Sequence, residues 1–218
     1  MRSSIAASTL LLAAVVAANA PATVAQDSAS GTSAASAASA AGANPDALAA
    51  RAARGAAGAA NAALESARKL FAEHRNDEAL AAIDAGLKSS PNDARLRFQR
   101  GVVLNDSGRS DAAVETFEGL AQDFPELPEP HNNLAVLYAA RGDLDRARAA
   151  LDEAVRALPS YALAHENLGD IHLRLAERAY ERATRADSAN HAARTKLALA
   201  RELVAKVSPA GTRPAAAR

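Results

Sequence analysis

The chain has no cysteine among its 218 residues. This absence excludes a disulfide framework, a thiol nucleophile, a thiolate metal site and an acylated cysteine. The protein is therefore compatible with both oxidising and reducing compartments. Aromatic residues make up only 3% of the chain, whereas hydrophobic residues reach 49%, much of it alanine. Because alanine fills little core volume, close packing of helices has to replace large side chains.

Net charge and catalytic motifs are also missing. The chain has 25 basic and 25 acidic residues, so its formal net charge is zero. Such a chain has no overall basic field to attract nucleic acid, and we expect no nucleic-acid partner. It also has no glycine-rich phosphate loop, no nucleophile elbow and no acid paired with a partnering base. We therefore expect no enzyme activity, no catalytic residue and no cofactor.

What the chain does have is a fixed period. Pro91, Pro125 and Pro159 are evenly spaced, since 125 − 91 = 34 and 159 − 125 = 34, and the turn glycines Gly108 and Gly142 have the same spacing. Two further columns keep it: Ala79, Ala113 and Ala147, and Ile83, Phe117 and Leu151. A period of this length is typical of a repeated helical hairpin.

Each column has a physical cause. Two antiparallel helices joined by a short turn approach closely only where neither side chain is bulky, which accounts for the alanines. The glycines suit the left-handed backbone just past a helix end. Ser110 and Asp143 are good helix N-cap types close to those turns. Proline begins a helix but cannot continue one, so it separates the units.

With these columns the chain resembles a tetratricopeptide-repeat (TPR) protein. The third unit carries the family pattern in Leu134, Ala135, Tyr138, Gly142, Ala147, Leu151, Ala154 and Pro159. The second unit carries Gly101, Leu104, Gly108, Ala113, Phe117 and Pro125, and the weaker first unit keeps Leu70, Ala79, Ile83, Gly86 and Pro91. The resemblance covers residues 60–207 and implies an all-α solenoid with three regular hairpins.

The fourth unit departs from this pattern. Its start is in register, but Ser188 stands where proline would be, and 188 − 159 = 29 leaves five residues missing. The missing residues are those of the turn between the two helices. We therefore predict one unbroken helix over 162–186, with Ser160 as its N-cap and Asp187 at its end. At 1.5 Å per residue it would be about 38 Å long.

A last amphipathic helix is predicted over 190–206. Solenoids need a cap on their open end, and we expect this helix to supply it through Leu197, Leu199 and Leu203. Residues 208–218 contain two prolines together with Arg213 and Arg218, but no acid. This composition predicts a disordered basic tail.

The N-terminal part has a different composition. Residues 1–25 are typical of a secretory signal, with Arg2 before an apolar middle and small residues at 23–25. The apolar run is shorter than the about 20 residues that span a bilayer, so we favour cleavage before Gln26 over an uncleaved membrane tether. We expect an exported, periplasmic protein without stable membrane insertion. Residues 26–59, rich in alanine, serine and glycine, predict a disordered linker in which Pro45 to Arg54 form at most a marginal helix.

The resemblance implies that the first helix of each hairpin lines a concave, ligand-binding face. The ligand-binding candidates on these helices are Arg68, Arg95, Phe98, Asn105, Asn132, Asn133, Glu166, Asn167 and Asp170. Asn133 and Asn167 match a family position that in several members hydrogen-bonds the backbone of a bound peptide. An amide suits that role because it donates and accepts at once. The alternative is that these asparagines only brace their own hairpins.

The charged candidates have alternatives as well. Arg68 and Arg95 could hold a carboxylate together, although the carboxylate clamp known in the family uses lysine and asparagine, and this chain lacks the full set. Glu166, Asp170 and Arg174 lie one turn apart, which also fits ordinary exposed helix pairs.

Two histidines share a repeat position. His131 and His165 have the repeat spacing, since 165 − 131 = 34, and His172 lies two turns beyond His165. A metal site would need neutral imidazoles and a carboxylate converging on one ion. We favour the alternative that these histidines pack between helices, and we expect no metal site.

Together these features predict a non-enzymatic adaptor or assembly scaffold of the cell envelope, which binds a protein or peptide segment in its concave groove. The alternative is a self-associating scaffold that uses the long helix 162–186 and the C-terminal cap. A homo-oligomer is therefore left open.

Overall fold

The computed structural model describes residues 45–207, and within that range it contains eight helices and no strand. The helices are α1 (Pro45–Ala72), α2 (Asn76–Ser89), α3 (Ala94–Asp106), α4 (Ser110–Asp123), α5 (Pro128–Ala140), α6 (Leu144–Ala157), α7 (Ala162–Ala186) and α8 (His191–Val207). The predicted signal at 1–25, the linker up to residue 44 and the tail 208–218 lie outside the described residues. None of the described helices is long and apolar enough to cross a membrane.

The first helix begins at Pro45, where the sequence predicted only a marginal helix inside the linker. The linker was predicted to reach residue 59, but from Pro45 onward the chain is helical. Alanine has the highest helix propensity, and proline is well suited to the first helical position, so this stretch needs no core to be helical. The chain divides into two compact units after Gly55. In the second unit the first buried apolar residue is Ala60.

The predicted hairpin repeat is confirmed. Each helix from α2 to α8 packs against its neighbours in the sequence, as in a solenoid. The alanine column Ala79, Ala113 and Ala147 is 0% exposed, and the column Ile83, Phe117 and Leu151 is at most 1% exposed. The repeat period therefore places small residues where helices approach and large ones between them.

Gly101 shows how close this approach is. A Cβ atom at Gly101 would lie 2.6 Å from Cε1 and Cζ of Phe117, a distance that real side chains do not tolerate. The Phe117 ring also packs against Phe98, with ring centroids 5.6 Å apart. The second hairpin thus fits one aromatic ring into the space that a glycine leaves open.

The hairpin turns follow the predicted chemistry with one exception. Gly108 and Gly142 have φ of 75° and 79°, the left-handed conformation that glycine favours. The first hairpin has His74 at the equivalent position, with φ 58°. Asp143 caps α6 by accepting a hydrogen bond from Arg146 N at 3.2 Å. The exception is Ser110, which is the first residue of α4 and does not cap it.

The long fourth helix is confirmed. Helix α7 runs unbroken over 25 residues, and Asp187 follows it as the C-cap. The prediction of Ser160 as N-cap was wrong, because Tyr161 occupies that position without a side-chain cap. The main chain makes the cap unnecessary there: Tyr161 O accepts hydrogen bonds from Ala164 N at 3.0 Å and His165 N at 3.3 Å.

In the fused helix α7, Gly169 lacks the neighbouring second helix that the equivalent residue has in a regular hairpin. Helix α7 packs against α6 and against α8. Gly169 stands where the regular units have a small residue facing their second helix, yet a Cβ atom there would meet nothing within 4 Å. The deletion in the fourth unit thus removes the second helix of the hairpin from this part of α7.

The terminal helix α8 packs against α7, but fewer of its leucines are buried in this contact than predicted. Leu197 is buried, together with Ala193 and Ala200, but Leu199 and Leu203 are 56% and 45% exposed, so the prediction for these two was wrong. Two positions turn a helix by about 200°, which carries Leu199 to the side opposite Leu197. Leu199, Leu203 and Val207 form an outward row, here called the apolar stripe.

A row of ion pairs joins successive units on the turn side. Asp77, Asp111 and Asp145 form a further column with the repeat spacing. They pair with Arg109, Arg141 and Arg178, the last of these pairs at 2.6 Å. The regular spacing of the three aspartates in the sequence could have predicted these ion pairs. Exposed pairs of this kind contribute about 0.2–1 kcal/mol each, so they add little to the stability of the array.

Candidate functional site

Helices α5 and α7 lie side by side although α6 separates them in the sequence. Asn167 Nδ2 donates a hydrogen bond to Asn132 Oδ1 at 2.8 Å, and Arg174 donates to the carbonyl oxygen of Ala139 at 3.2 Å. The first helices of the third and fourth units therefore form one continuous face. We call Asn132, Asn133 and Asn167 the amide cluster.

Asn132 is the central residue of this cluster. It is only 3% exposed, the one buried polar residue of the described chain. Its oxygen accepts from Asn167, while no described residue accepts a hydrogen bond from its amide nitrogen. Among the described residues, the fully enclosed side-chain atoms without a hydrogen-bond partner are Asn76 Oδ1 and Arg178 Nε. The amide nitrogen of Asn132 is not one of them. It therefore keeps contact with solvent and is available as a donor to a ligand.

Asn133 is held by its own helix. Its Nδ2 donates to the carbonyl oxygen of Glu129 at 2.9 Å, one turn earlier in α5. This is the bracing role that the sequence left as the alternative. The oxygen of the Asn133 amide remains an acceptor, so the cluster presents both hydrogen-bond types.

Two carboxylates adjoin the amide cluster on α7. Glu166 is exposed, and Asp170 is half-buried one turn later. Burial raises the pKa of the Asp170 carboxyl, the charge of Glu166 raises it further, and Arg174 opposes both effects. Of the ion pairs among residues 45–207, none includes Glu166 or Asp170. Arg174 forms no ion pair with either of them, and one of its terminal nitrogens donates to the carbonyl oxygen of Ala139.

The remaining candidates lie on α1 and α3. Arg68 pairs with Glu65 at 3.3 Å, and Arg95 pairs with the N-cap Asp93 at 2.7 Å. A carboxylate held by these arginines would have to compete with those partners. Phe98 is half-buried against Phe117, and Asn105 is half-buried in the last turn of α3. The structure shows no contact that joins these four residues to the amide cluster within the described part of the chain.

The histidines have structural surroundings. Burial lowers the pKa of His131, as expected for a ring packed between helices. Nε2 of His165 lies 2.8 Å from the carbonyl oxygen of Pro159, and His172 is exposed. In the range 45–207 no three histidine or carboxylate side chains converge as a metal ion requires.

A separate crevice of about 330 Å³ lies between α7 and α8, lined by Glu181, Thr184, Arg185, Leu197 and Arg201. Arg201 pairs there with Glu181 at 2.6 Å and with Glu177 at 3.4 Å. Its polar groups are thus engaged with one another. The amide cluster is the better candidate site because it has unused hydrogen-bonding groups.

Comparisons with known proteins agree with this architecture. Two tetratricopeptide-repeat models match residues 64–128 and 104–171. A TPR repeat-containing thioredoxin, TTL4, of Arabidopsis thaliana is 38% identical over 77 residues, and an uncharacterized protein, y4yS, of Sinorhizobium fredii is 33% identical over 80 residues. These stretches are 35% and 37% of this chain, but they span only 11% and 44% of the two relatives.

Solved structures show the same fold at low sequence identity. A tetratricopeptide repeat protein from Parabacteroides merdae has a TM-score of 0.51 at 15% identity, covering 68% of this chain and 61% of that one. MamA has a TM-score of 0.50 at 20% identity, covering 68% and 85%. The first TPR of Spaghetti (RPAP3), bound to the HSP90 peptide SRMEEVD, has a TM-score of 0.50 at 18% identity, covering 54% and 93%.

The hairpin period, the buried alanine column and the two family matches, which together cover residues 64–171, all lead to one family. Residues 64–171 of this chain therefore belong to the tetratricopeptide-repeat family.

Proposed function

We propose that this protein is a non-enzymatic adaptor that binds an extended segment of another protein on the face formed by its first helices. The observation that carries the proposal is the amide cluster, in which Asn132 is only 3% exposed and still has an unused amide nitrogen. Because that nitrogen keeps contact with solvent, a carbonyl oxygen of a ligand can replace water as its hydrogen-bond acceptor.

The geometry of the cluster suits a peptide backbone. An extended chain offers alternating carbonyl and N–H groups, and the cluster offers a donor on Asn132 and acceptors on Asn133 and Asn167. The RPAP3 domain, which has the same fold, is bound to a peptide in its structure. This supports a peptide or protein partner for the present chain.

The proposal extends to location. The composition of residues 1–25 favours export, and we propose that the adaptor acts in the cell envelope after cleavage before Gln26. Mass spectrometry of the protein purified from its own cells should give an N-terminus at residue 26. An intact N-terminus in a membrane fraction would instead support a tether.

Replacing Asn133 and Asn167 by alanine should weaken peptide binding about tenfold, because two amide contacts of about 0.5–1.5 kcal/mol are lost. The measurement uses a phage-displayed library of random ten-residue peptides, selected on the unmodified chain. Affinities of the selected peptides follow from fluorescence anisotropy, and we expect roughly micromolar values. Asn92→Ala, at an exposed residue outside the first helices, is the matched control. Equal affinities for both variants would exclude the amide cluster as the binding site.

A second candidate function is a self-associating scaffold. The apolar stripe favours it, since three large apolar side chains lie exposed in a row on α8. In this case light scattering should show a mass that rises with concentration, and Leu199→Gln with Leu203→Gln should restore the monomer mass. A constant monomer mass for the unmodified chain would remove this candidate.

A further inference from the structure

The face beside the amide cluster is acidic although the chain as a whole is neutral. Glu129, Glu166 and Asp170 lie on the neighbouring helices α5 and α7, and Arg174 is the one basic group that acts on Asp170. Glu129 is close enough to the start of α7 to raise the pKa of Tyr161, after the larger effect of burial. Glu129 is not among the charges that act on Asp170, so the acidic pair beside the amide cluster is Glu166 and Asp170, opposed by a single guanidinium.

Among the described residues neither Glu166 nor Asp170 forms an ion pair, which is also true of exposed carboxylates such as Glu115 and Asp152, but Asp170 is half-buried. The aspartates on the turn side each pair with an arginine of the next unit, and Asp93 pairs with Arg95. Asp170 is half-buried, and no arginine, lysine or histidine of residues 45–207 forms an ion pair with it. A partly buried carboxylate without a cation is less stable than a paired one, and the raised pKa of Asp170 reflects that.

The amide cluster is an independent sign that a ligand belongs at this place. Asn132 is buried, bonds to Asn167 next to Glu166, and retains an unused amide nitrogen. Asn132 and Glu166 also occupy the same repeat position, since 166 − 132 = 34, so they are neighbours across the α5–α7 boundary. The unused donor and the unpaired carboxylates therefore belong to adjoining units of the same first-helix face.

We propose that the bound segment presents a lysine or arginine side chain to Glu166 and Asp170 while the amide cluster holds its backbone. This inference rests on the proposed function and specifies the class of partner. A partner that ends in a free carboxylate over this site is disfavoured, since it would face the two like charges of Glu166 and Asp170. A metal ion is disfavoured too, because the described residues bring no three ligands together.

The test is the composition of the peptides selected from the same random library. The unmodified chain should enrich lysine and arginine at one position of the selected peptides. Glu166→Gln combined with Asp170→Asn should lose that enrichment and bind the selected peptides about tenfold more weakly, since hydrogen bonds from the basic side chain to two charged carboxylates are lost. Replacing the enriched basic residue by norleucine should weaken binding to the unmodified chain to a similar extent, and should scarcely affect the variant.

The matched control is Glu115→Gln combined with Asp152→Asn. These residues are exposed on the second helices α4 and α6, and the change in net charge is the same. If this control loses as much binding as Glu166→Gln combined with Asp170→Asn, the effect is one of general charge and the proposal is overturned. Selected peptides without basic enrichment would also overturn it, while leaving the adaptor function intact. If the library yields no binding peptide at all, the proposed function itself fails, and this inference fails with it.

Discussion

Replacing Phe117 by alanine should lower the free energy of unfolding by about 3–5 kcal/mol. Phe117 is 1% exposed and is the largest of the fully buried side chains. Its ring fills the space over Gly101 and packs against Phe98. Because the helices around it already touch at alanine and glycine, they have little room to close over the cavity.

The measurement is urea denaturation followed by circular dichroism. Glu115→Ala, at an exposed position on the same helix, is the control and should change stability by less than about 0.5 kcal/mol. A loss below about 1 kcal/mol for the Phe117 variant would mean that the hairpins repack easily. In that case the close approach at Gly101 would not be a constraint on this fold.

Replacing Leu175 by proline should cost at least about 3 kcal/mol, because proline removes a helical hydrogen bond and clashes with the preceding turn. Leu175 lies within α7, where the regular units have a turn. In a solenoid each unit contacts only its neighbours. The damage should therefore concentrate in the second half of α7 and in α8, while α3 to α6 remain protected.

Hydrogen exchange measured by mass spectrometry separates these regions. Ala162→Pro is the matched control: it places proline at the first position of the same helix, where the N–H has no helical partner, and it should be tolerated. Faster exchange spread evenly over all units would contradict the local model. It would show that the array unfolds as one cooperative body.

The regular repeats were predictable because their signals are local and repeated. Ala113 and Phe117 are separated by one helical turn, so their spacing alone placed them on one buried face. The fused helix α7 was predictable for the same reason, since a deletion of five residues leaves no room for a turn. Predictions were wrong where a role was given to a single residue that has no equivalents at the repeat spacing. Ser160 looked like an N-cap, but the main chain made the cap at Tyr161.

The C-terminal cap shows a different kind of error. Leu197, Leu199 and Leu203 are equally apolar, and composition could not tell which face α8 turns toward α7. Only Leu197 aligns with the small residues Ala193 and Ala200, which allow the two helices to approach. For the start of α1 the sequence predicted only a marginal helix, because the linker prediction depended on the absence of a core, whereas alanine-rich sequence is helical without one.

By itself, the sequence determined the number of hairpins, their register and the fusion of the fourth unit. Residues at the same repeat position make the same helix contact, so the repeated pattern of small and large side chains, and the missing residues in the fourth unit, could be recognised from the sequence. Only the tertiary structure decided what the first-helix face offers to a ligand. Asn132 and Asn167 meet across two helices that are not consecutive, and Glu166 and Asp170 form no ion pair among the described residues. Such pairings depend on which groups the folded chain brings within about 3 Å, and a repeat pattern does not encode that distance.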